Sequence, residues 1–134
     1  MFVSEVKLRV RYSETDKMGY CYYGNYAQYF EVGRVEALRS LGFNYRALED
    51  SGIMLPVLDF QIHYFKPAYY DDLLLIKTII NKEPGTRLYF DYETYNEQGE
   101  KLNVASTTLV FVDIASGKPT KPPEDLKQAI VTYL

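Results

Sequence analysis

Only one cysteine, Cys21, and one histidine, His63, occur among the 134 residues. A lone cysteine excludes an intramolecular disulfide, and with no Cys/His cluster at ligand spacing no metal site is expected. A Ser-His-Asp arrangement would rest on His63 alone. That residue stands among Ile62, Tyr64 and Phe65 without an evident partner and reads as a packed or interface histidine. No apolar run approaches the ~18 residues that cross a bilayer, so no membrane insertion is expected. Lys and Arg form no block, and 18 acidic against 15 basic residues leave a net charge of -3. The concentrated positive patch that nucleic acid or an anionic membrane rewards is missing. There is no Walker A or dinucleotide-type glycine fingerprint, so NTP and NAD chemistry have no support and no cofactor is expected. The opening Met1-Phe2-Val3-Ser4-Glu5 has neither the basic nor the apolar region of a signal peptide, which points to a cytoplasmic protein. No internal repeat, low-complexity segment or linker divides the chain, so one domain over residues 1–134 is expected.

What the sequence has in excess is tyrosine. There are 14, five of them between Tyr20 and Tyr29, more aromatic surface than a small monomer readily buries, so part of it should face a ligand or another subunit. From Val3 to Tyr12, Val6, Leu8 and Val10 alternate with Lys7, Arg9 and Arg11, the period of a half-buried strand. Ser13 to Gly24 has no sustained period and carries Gly19 and Gly24, which predicts a structured loop. Tyr26, Phe30, Gly33, Ala37 and Leu41 then recur at three- and four-residue spacing, predicting one amphipathic helix. Asn25 is placed as its N-cap, with Gln28 completing a capping box, and Gly42 as the left-handed residue that ends it. A short helix is predicted over Tyr45–Asp50, stopped by Gly52.

The remainder reads as strands at Leu55–Phe65, Leu73–Lys82, Arg87–Tyr95 and Lys101–Ile114, divided by turn residues. Tight turns favour an antiparallel sheet, and the long helix is the cover for one face, so the class is α+β. A strand over Lys101–Ile114 would reach roughly 45 Å at ~3.3 Å per residue, against about 24 Å for the helix at 1.5 Å per residue. With apolar residues on both faces of that strand, burial against another subunit is expected.

The ordered set Arg11-Tyr12-Ser13-Glu14-Thr15-Asp16-Lys17-Met18-Gly19, Tyr22-Tyr23-Gly24-Asn25-Tyr26 and Tyr29-Phe30-Glu31 resembles the signature of the 4-hydroxybenzoyl-CoA thioesterase family. Tyr64-Phe65-Lys66-Pro67-Ala68 with Asp71-Asp72, and Val110-Phe111-Val112-Asp113 with Gly117-Lys118-Pro119, resemble later landmarks in the same order. The resemblance implies the hotdog fold, a long helix wrapped by an antiparallel sheet. It implies dimers joined sheet edge to sheet edge, and a homotetramer built from two of them. It also implies an acyl-CoA substrate and a site at the dimer interface.

By the same resemblance Asp16 is the catalytic carboxylate, as nucleophile or general base, and the backbone N–H of Tyr23 at the helix N-terminus polarises the thioester carbonyl. Some relatives carry histidine where this chain has Tyr23, which leaves a main-chain donor intact. On spacing alone Asp16 is a turn aspartate bonding nearby N–H groups. Gly19 and Gly24 serve backbone conformation or close approach to the thioester. Asn25 caps the helix or orients the donor N–H. Lys66 and Arg87, with Lys118 and Lys121, are candidates for the anionic nucleotide end of CoA. Glu31 is a reserve carboxylate, more simply a solvated helix residue. Cys21 near this segment reads as a semi-buried thiol rather than a nucleophile. Tyr20, Tyr22, Tyr26, Tyr29 and Phe30 are core or interface residues, some of which could line an acyl pocket. A different class of function, a non-hydrolytic hotdog protein that binds an acyl-CoA or acyl carrier, shares the same fold.

Overall fold

The computed structural model describes all 134 residues. Strand β1 spans Phe2–Arg9, and a single 3-10 turn, Tyr12–Glu14, follows it. The long helix α1 is Asn25–Ser40 and the short helix α2 is Tyr45–Asp50. Then come β2 (Ile53–Met54), β3 (Val57–Tyr64), β4 (Leu73–Ile80), β5 (Arg87–Tyr95), β6 (Lys101–Val110), β7 (Val112–Asp113) and the helix α3 (Glu124–Val131). Five strands pair antiparallel in the order β1-β4-β5-β6-β3, while β2 and β7 form a separate two-stranded ribbon.

Period-two alternation does the work in the central strands. In β4, Leu74, Ile76, Thr78 and Ile80 are buried, and in β5, Leu88, Phe90, Tyr92 and Thr94. Facing them, α1 buries Tyr26, Tyr29, Phe30, Gly33, Ala37 and Leu38, the three-and-four spacing of one helix face. The rings of Phe30 and Tyr92 stack with centroids 4.5 Å apart. Together these residues form one core cluster, which is the α+β arrangement read from the sequence.

Several boundaries differ from the expectation, each for a physical reason. The first strand ends at Arg9, because Val10 leaves the strand ladder to bond with Asp71 and Asp72. The expected strand Leu55–Phe65 is β3, which starts only at Val57, after Pro56, which cannot donate to a ladder, and ends at Tyr64. Lys101–Ile114 breaks at Phe111, whose N–H turns to Thr86 O at 2.8 Å, so the chain leaves the sheet for the β2–β7 ribbon. At ten residues β6 reaches roughly 33 Å, shorter than the expected strand and still longer than α1. Asn25 does not cap α1. Gly24 holds the cap position with no side-chain cap, and the Asn25 amide donates instead to the carbonyl of Glu14 at 2.6 Å. The capping box with Gln28 is accordingly absent. The other end follows the expectation, with Gly42 at φ +92° behind Leu41. Helix α2 spans the predicted residues, its first turn capped by Asn44 accepting from Ala47 N at 2.7 Å.

Helix α3 escaped the sequence reading. Its signals are Pro123 at the cap, Glu124 and Asp125 in the first turn, and Leu126 and Ile130 four apart, both fully buried. It extends the cover near β1, where Tyr133 packs edge-on against Phe2 and its carbonyl accepts from the N-terminal amine.

The seat of α1 is tightest at Gly33. A Cβ there would lie 2.5 Å from Thr78 Oγ1 and 3.3 Å from Ile76 Cγ2. Gly33→Ala is expected to lower stability in denaturant unfolding, because overpacking at about 1–3 kcal/mol exceeds the helix-propensity gain of up to about 1 kcal/mol. Thr78 Oγ1 has no hydrogen-bond partner, so the double variant Gly33→Ala/Thr78→Ala should recover most of the loss. Additive losses in that double variant would refute the steric account.

Candidate active site

Past β1 the chain makes the 3-10 turn and then a tight loop that Asp16 organises. Oδ1 of Asp16 accepts from Met18 N at 2.9 Å and from Tyr20 N at 3.2 Å, while the main chain bonds Asp16 N to Tyr20 O and Gly19 N to Asp16 O. Gly19 closes this loop at φ +82°, a conformation that favours glycine. So the turn-aspartate reading is realised, but on one oxygen only. Oδ2 has no partner within the chain and is free to act.

Ladder-like contacts then bring distant segments together. Thr15 bridges to Cys21 and Tyr20 to Tyr69, while Cys21 N donates to Ala68 O at 2.8 Å. These draw the segment after β3 against the loop and leave a cavity of about 270 Å³ between them. Asp16, Tyr20 and Tyr23 line one side, and Tyr26, Tyr64, Phe65 and Lys66 line much of the rest. At its rim α1 begins. The N–H groups of Tyr23 and Gly24 make no hydrogen bond within the chain, so they present unpaired donors at the positive end of a sixteen-residue helix. Gly24 is also constrained by space, since a Cβ would meet the Tyr22 ring at 2.8 Å.

Behind the cavity lies a polar ring that the sequence reading missed. Glu14 is buried at 6% exposure. Its Oε1 accepts from Arg11 N at 2.8 Å and Tyr29 OH at 2.9 Å, and its Oε2 from Arg11 Nη2 at 3.1 Å. The Glu14 carbonyl accepts from Tyr22 N at 2.8 Å and the Asn25 amide at 2.6 Å. Cys21 Sγ closes the ring, 3.4 Å from Tyr29 OH and 3.9 Å from Asn25 Nδ2. Burial pushes the Glu14 carboxyl up, but the Arg11 N–H, the Arg11 guanidinium and the Tyr29 hydroxyl outweigh it and hold the group below the usual carboxylate range. Burial raises the Cys21 thiol and the Tyr29 hydroxyl, so both keep their protons. Glu14 lies in the aperiodic loop, where no periodicity marks a buried position; Arg11 three residues earlier was the available hint.

The sequence of residues 10–130 matches the thioesterase-like superfamily. The chain belongs to that superfamily. It is 39% identical to YneP of Bacillus subtilis, over 89% of this chain and 86% of that one. It is 34% identical to the acyl-CoA thioester hydrolase YbgC of Escherichia coli, over 89% of each. The crystal structure of DHNA-CoA thioesterase from Staphylococcus aureus superposes with a TM-score of 0.94 at 36% identity, covering 99% of this chain and 91% of that one. The fold of this superfamily member is therefore the hotdog fold that the motif order implied.

Among the residues singled out from sequence, Asp16, Tyr23 and Lys66 meet at the 270 Å³ cavity, with Gly19, Gly24 and Asn25 in the segments that shape its rim. Lys66 is ion-paired with Glu100 on the surface. Arg87 opens β5 opposite Val110 and does not line the cavity, nor do Lys118 and Lys121. Glu31 is exposed on α1 beside a smaller hollow of about 160 Å³ with Arg34 and Phe60. His63 lies on the outer sheet face, its ring edge-on to Phe65 at 5.1 Å. That face holds the larger concavity, about 700 Å³, with Asp91 and Glu93 in its lining, but it is an open trough across a sheet face. No helix begins there to aim main-chain donors and a dipole at those carboxylates, so the smaller cavity is the better site.

Two outcomes follow. With its carboxyl depressed relative to the ordinary 4.5, Glu14 contributes stability that is fully present above about pH 4.5 and lost as pH falls through the folded value. The melting-temperature gap between the wild type and Glu14→Gln should therefore be constant near neutrality and narrow in acid; a gap that widens in acid would contradict this. Cys21, 6% exposed, should resist alkylation in the native protein and react on unfolding, and rapid labelling without denaturant would show the thiol to be accessible.

Proposed function

We propose that this chain hydrolyses an acyl-CoA to a free acid and CoA. One observation carries the reading: the open carboxylate oxygen of Asp16 shares a cavity with the unpaired N–H at the start of α1. Either Asp16 takes a proton from water as the water oxygen attacks the thioester carbon, the C–S bond breaks and that proton passes to the departing thiolate; or the carboxylate itself attacks and the thiolate leaves, taking a proton from solvent. In the second case water then hydrolyses the acyl-aspartyl anhydride to the free acid and restores Asp16. Asp16 serves as the base that activates water or as the nucleophile itself. The Tyr23 N–H, reinforced by the helix dipole, takes the oxyanion that forms. Tyr20, Tyr26, Tyr64 and Phe65 provide the acyl lining, and Lys66, released from Glu100, is the cation nearest the mouth for the anionic part of CoA. That aromatic lining suits an aromatic or short acyl group. Two relatives point the same way by name: the Staphylococcus aureus protein, and the 1,4-dihydroxy-2-naphthoyl-CoA hydrolase of Thermosynechococcus vestitus, 26% identical over 87% of this chain and 81% of its own length.

The proposed assembly is a homotetramer made of dimers. Strand β3 is the open edge of the sheet, and Val57, Leu58, Phe60 and Tyr64 are 38–52% exposed along it. An unpaired apolar edge invites another strand, and joining two copies there supports a site at the seam. No helix is long and apolar enough to cross a membrane.

Asp16→Asn keeps Oδ1 for the two N–H bonds while removing the charge, so fold and oligomer should persist. Turnover of short, long and aromatic acyl-CoAs, followed by thiol release, should fall by on the order of 100-fold or more. Undiminished activity would move the carboxylate elsewhere, with Glu31 next in line. Tight acyl-CoA binding without hydrolysis by the wild type would favour the binding-protein alternative.

A further inference from the structure

Resting on the hydrolytic reading above, we infer that Glu14 is the positioning residue that sets Asp16 against the N-terminus of α1. The two halves of the site come from different structures, a loop and a helix, and no hydrogen bond joins Asp16 directly to α1. Their registration passes through Glu14. Its carboxylate clamps the start of the loop through Arg11 and reaches Tyr29, one turn into the helix. Its carbonyl holds Tyr22 N, one residue before the donor at Tyr23, and the side chain of Asn25, the first residue of α1. Asp16 is only two residues beyond. A buried carboxylate with three donors has few alternative positions, because each displacement leaves a buried polar group unpaired.

Chemistry selects a carboxylate here. Arg11 Nη2, Arg11 N and Tyr29 OH are all donors, so the group they surround must only accept. Glu14→Gln keeps the size and turns an NH₂ toward Arg11, opposing donor to donor. Tyr29→Phe removes one donor and leaves the rest. Neither position lines the cavity, so neither change touches substrate. Misplacing a reacting group by about 1 Å can cost on the order of 100-fold in rate without weakening binding.

The test measures kcat and KM for thioester hydrolysis together with hydrogen–deuterium exchange, in the wild type, Glu14→Gln, Tyr29→Phe and Asp16→Asn. Glu14→Gln should lower kcat by on the order of 10- to 100-fold with KM changed less than about twofold. Tyr29→Phe should act in the same direction and less strongly. Exchange should rise over residues 12–26 and stay unchanged in β4, β5 and β6. Wild-type kcat with wild-type exchange in Glu14→Gln would overturn the inference, and so would faster exchange throughout the core, which marks a purely structural role. Asp16→Asn should lose turnover with exchange unaltered, and that result upholds the reaction whatever Glu14 does. If the wild type hydrolyses no thioester, the proposed reaction fails, and the exchange pattern alone then decides whether Glu14 holds the loop to the helix.

Discussion

At Gly33 the backbone of α1 approaches β4 so closely that one methyl group would meet Thr78 Oγ1 and Ile76. The contact sets the depth at which the helix lies on the sheet, and much of the architecture follows from that depth. Phe30 can stack on Tyr92, Ala37 and Leu38 reach full burial, and α1 lies across β1 and β4. A seated helix also has a fixed beginning. Its unpaired N–H groups then occupy one place, which matters to the proposed reaction because an oxyanion is stabilised by donors that do not reorganise.

The loop that brings Asp16 to that place is not rigid by virtue of regular structure. It is held by a ring of side chains and carbonyls, Arg11, Glu14, Tyr29, Cys21 and Asn25, in which the carboxylate and the carbonyl of Glu14 both accept from the groups around them. Such a network holds one geometry because losing a donor leaves the buried groups Glu14 and Tyr29 short of partners. Tyrosine is abundant here partly for this reason. Tyr29 fills core volume and delivers a hydroxyl to a buried carboxylate, and Tyr92 does the same with Thr107 at 2.7 Å, its hydroxyl pushed up to about 12 chiefly by burial.

The five-stranded sheet is asymmetric in its edges. One edge, β1, lies under α1 and near the C-terminal helix, whereas β3 at the other edge keeps large apolar residues exposed. The cavity beside Asp16 opens toward the end of that same strand, through Tyr64 and Phe65. Whatever covers β3 therefore lies close to the mouth of the site, which ties assembly to function in the proposed reading.

Much of this organisation is written locally. Alternation in β4 and β5, the three-and-four spacing of α1, the glycine after Leu41 and the α2 boundaries all follow from periodicity and turn chemistry, since each reflects which side of a short segment meets the core. The family likeness was legible in the ordered motifs from Arg11 to Pro119. Other features depended on partners distant in sequence. Pro56 shortened one expected strand, and Phe111 split another because the chain had a second sheet to join. Asn25 gave up its cap because the Glu14 carbonyl was nearer, and α3 folds on a surface built by β1. Glu14 shows the difference most plainly. A glutamate in an aperiodic loop belongs by default to solvent, and only the three-dimensional convergence of Arg11 and Tyr29 on its carboxylate, with Tyr22 and Asn25 on its carbonyl, supplies the donors that let it be buried. The sequence by itself determined the class of fold and the loop on which the proposed chemistry rests; tertiary structure alone decided which polar groups are buried there, because burial of a charge depends on partners that no local pattern encodes.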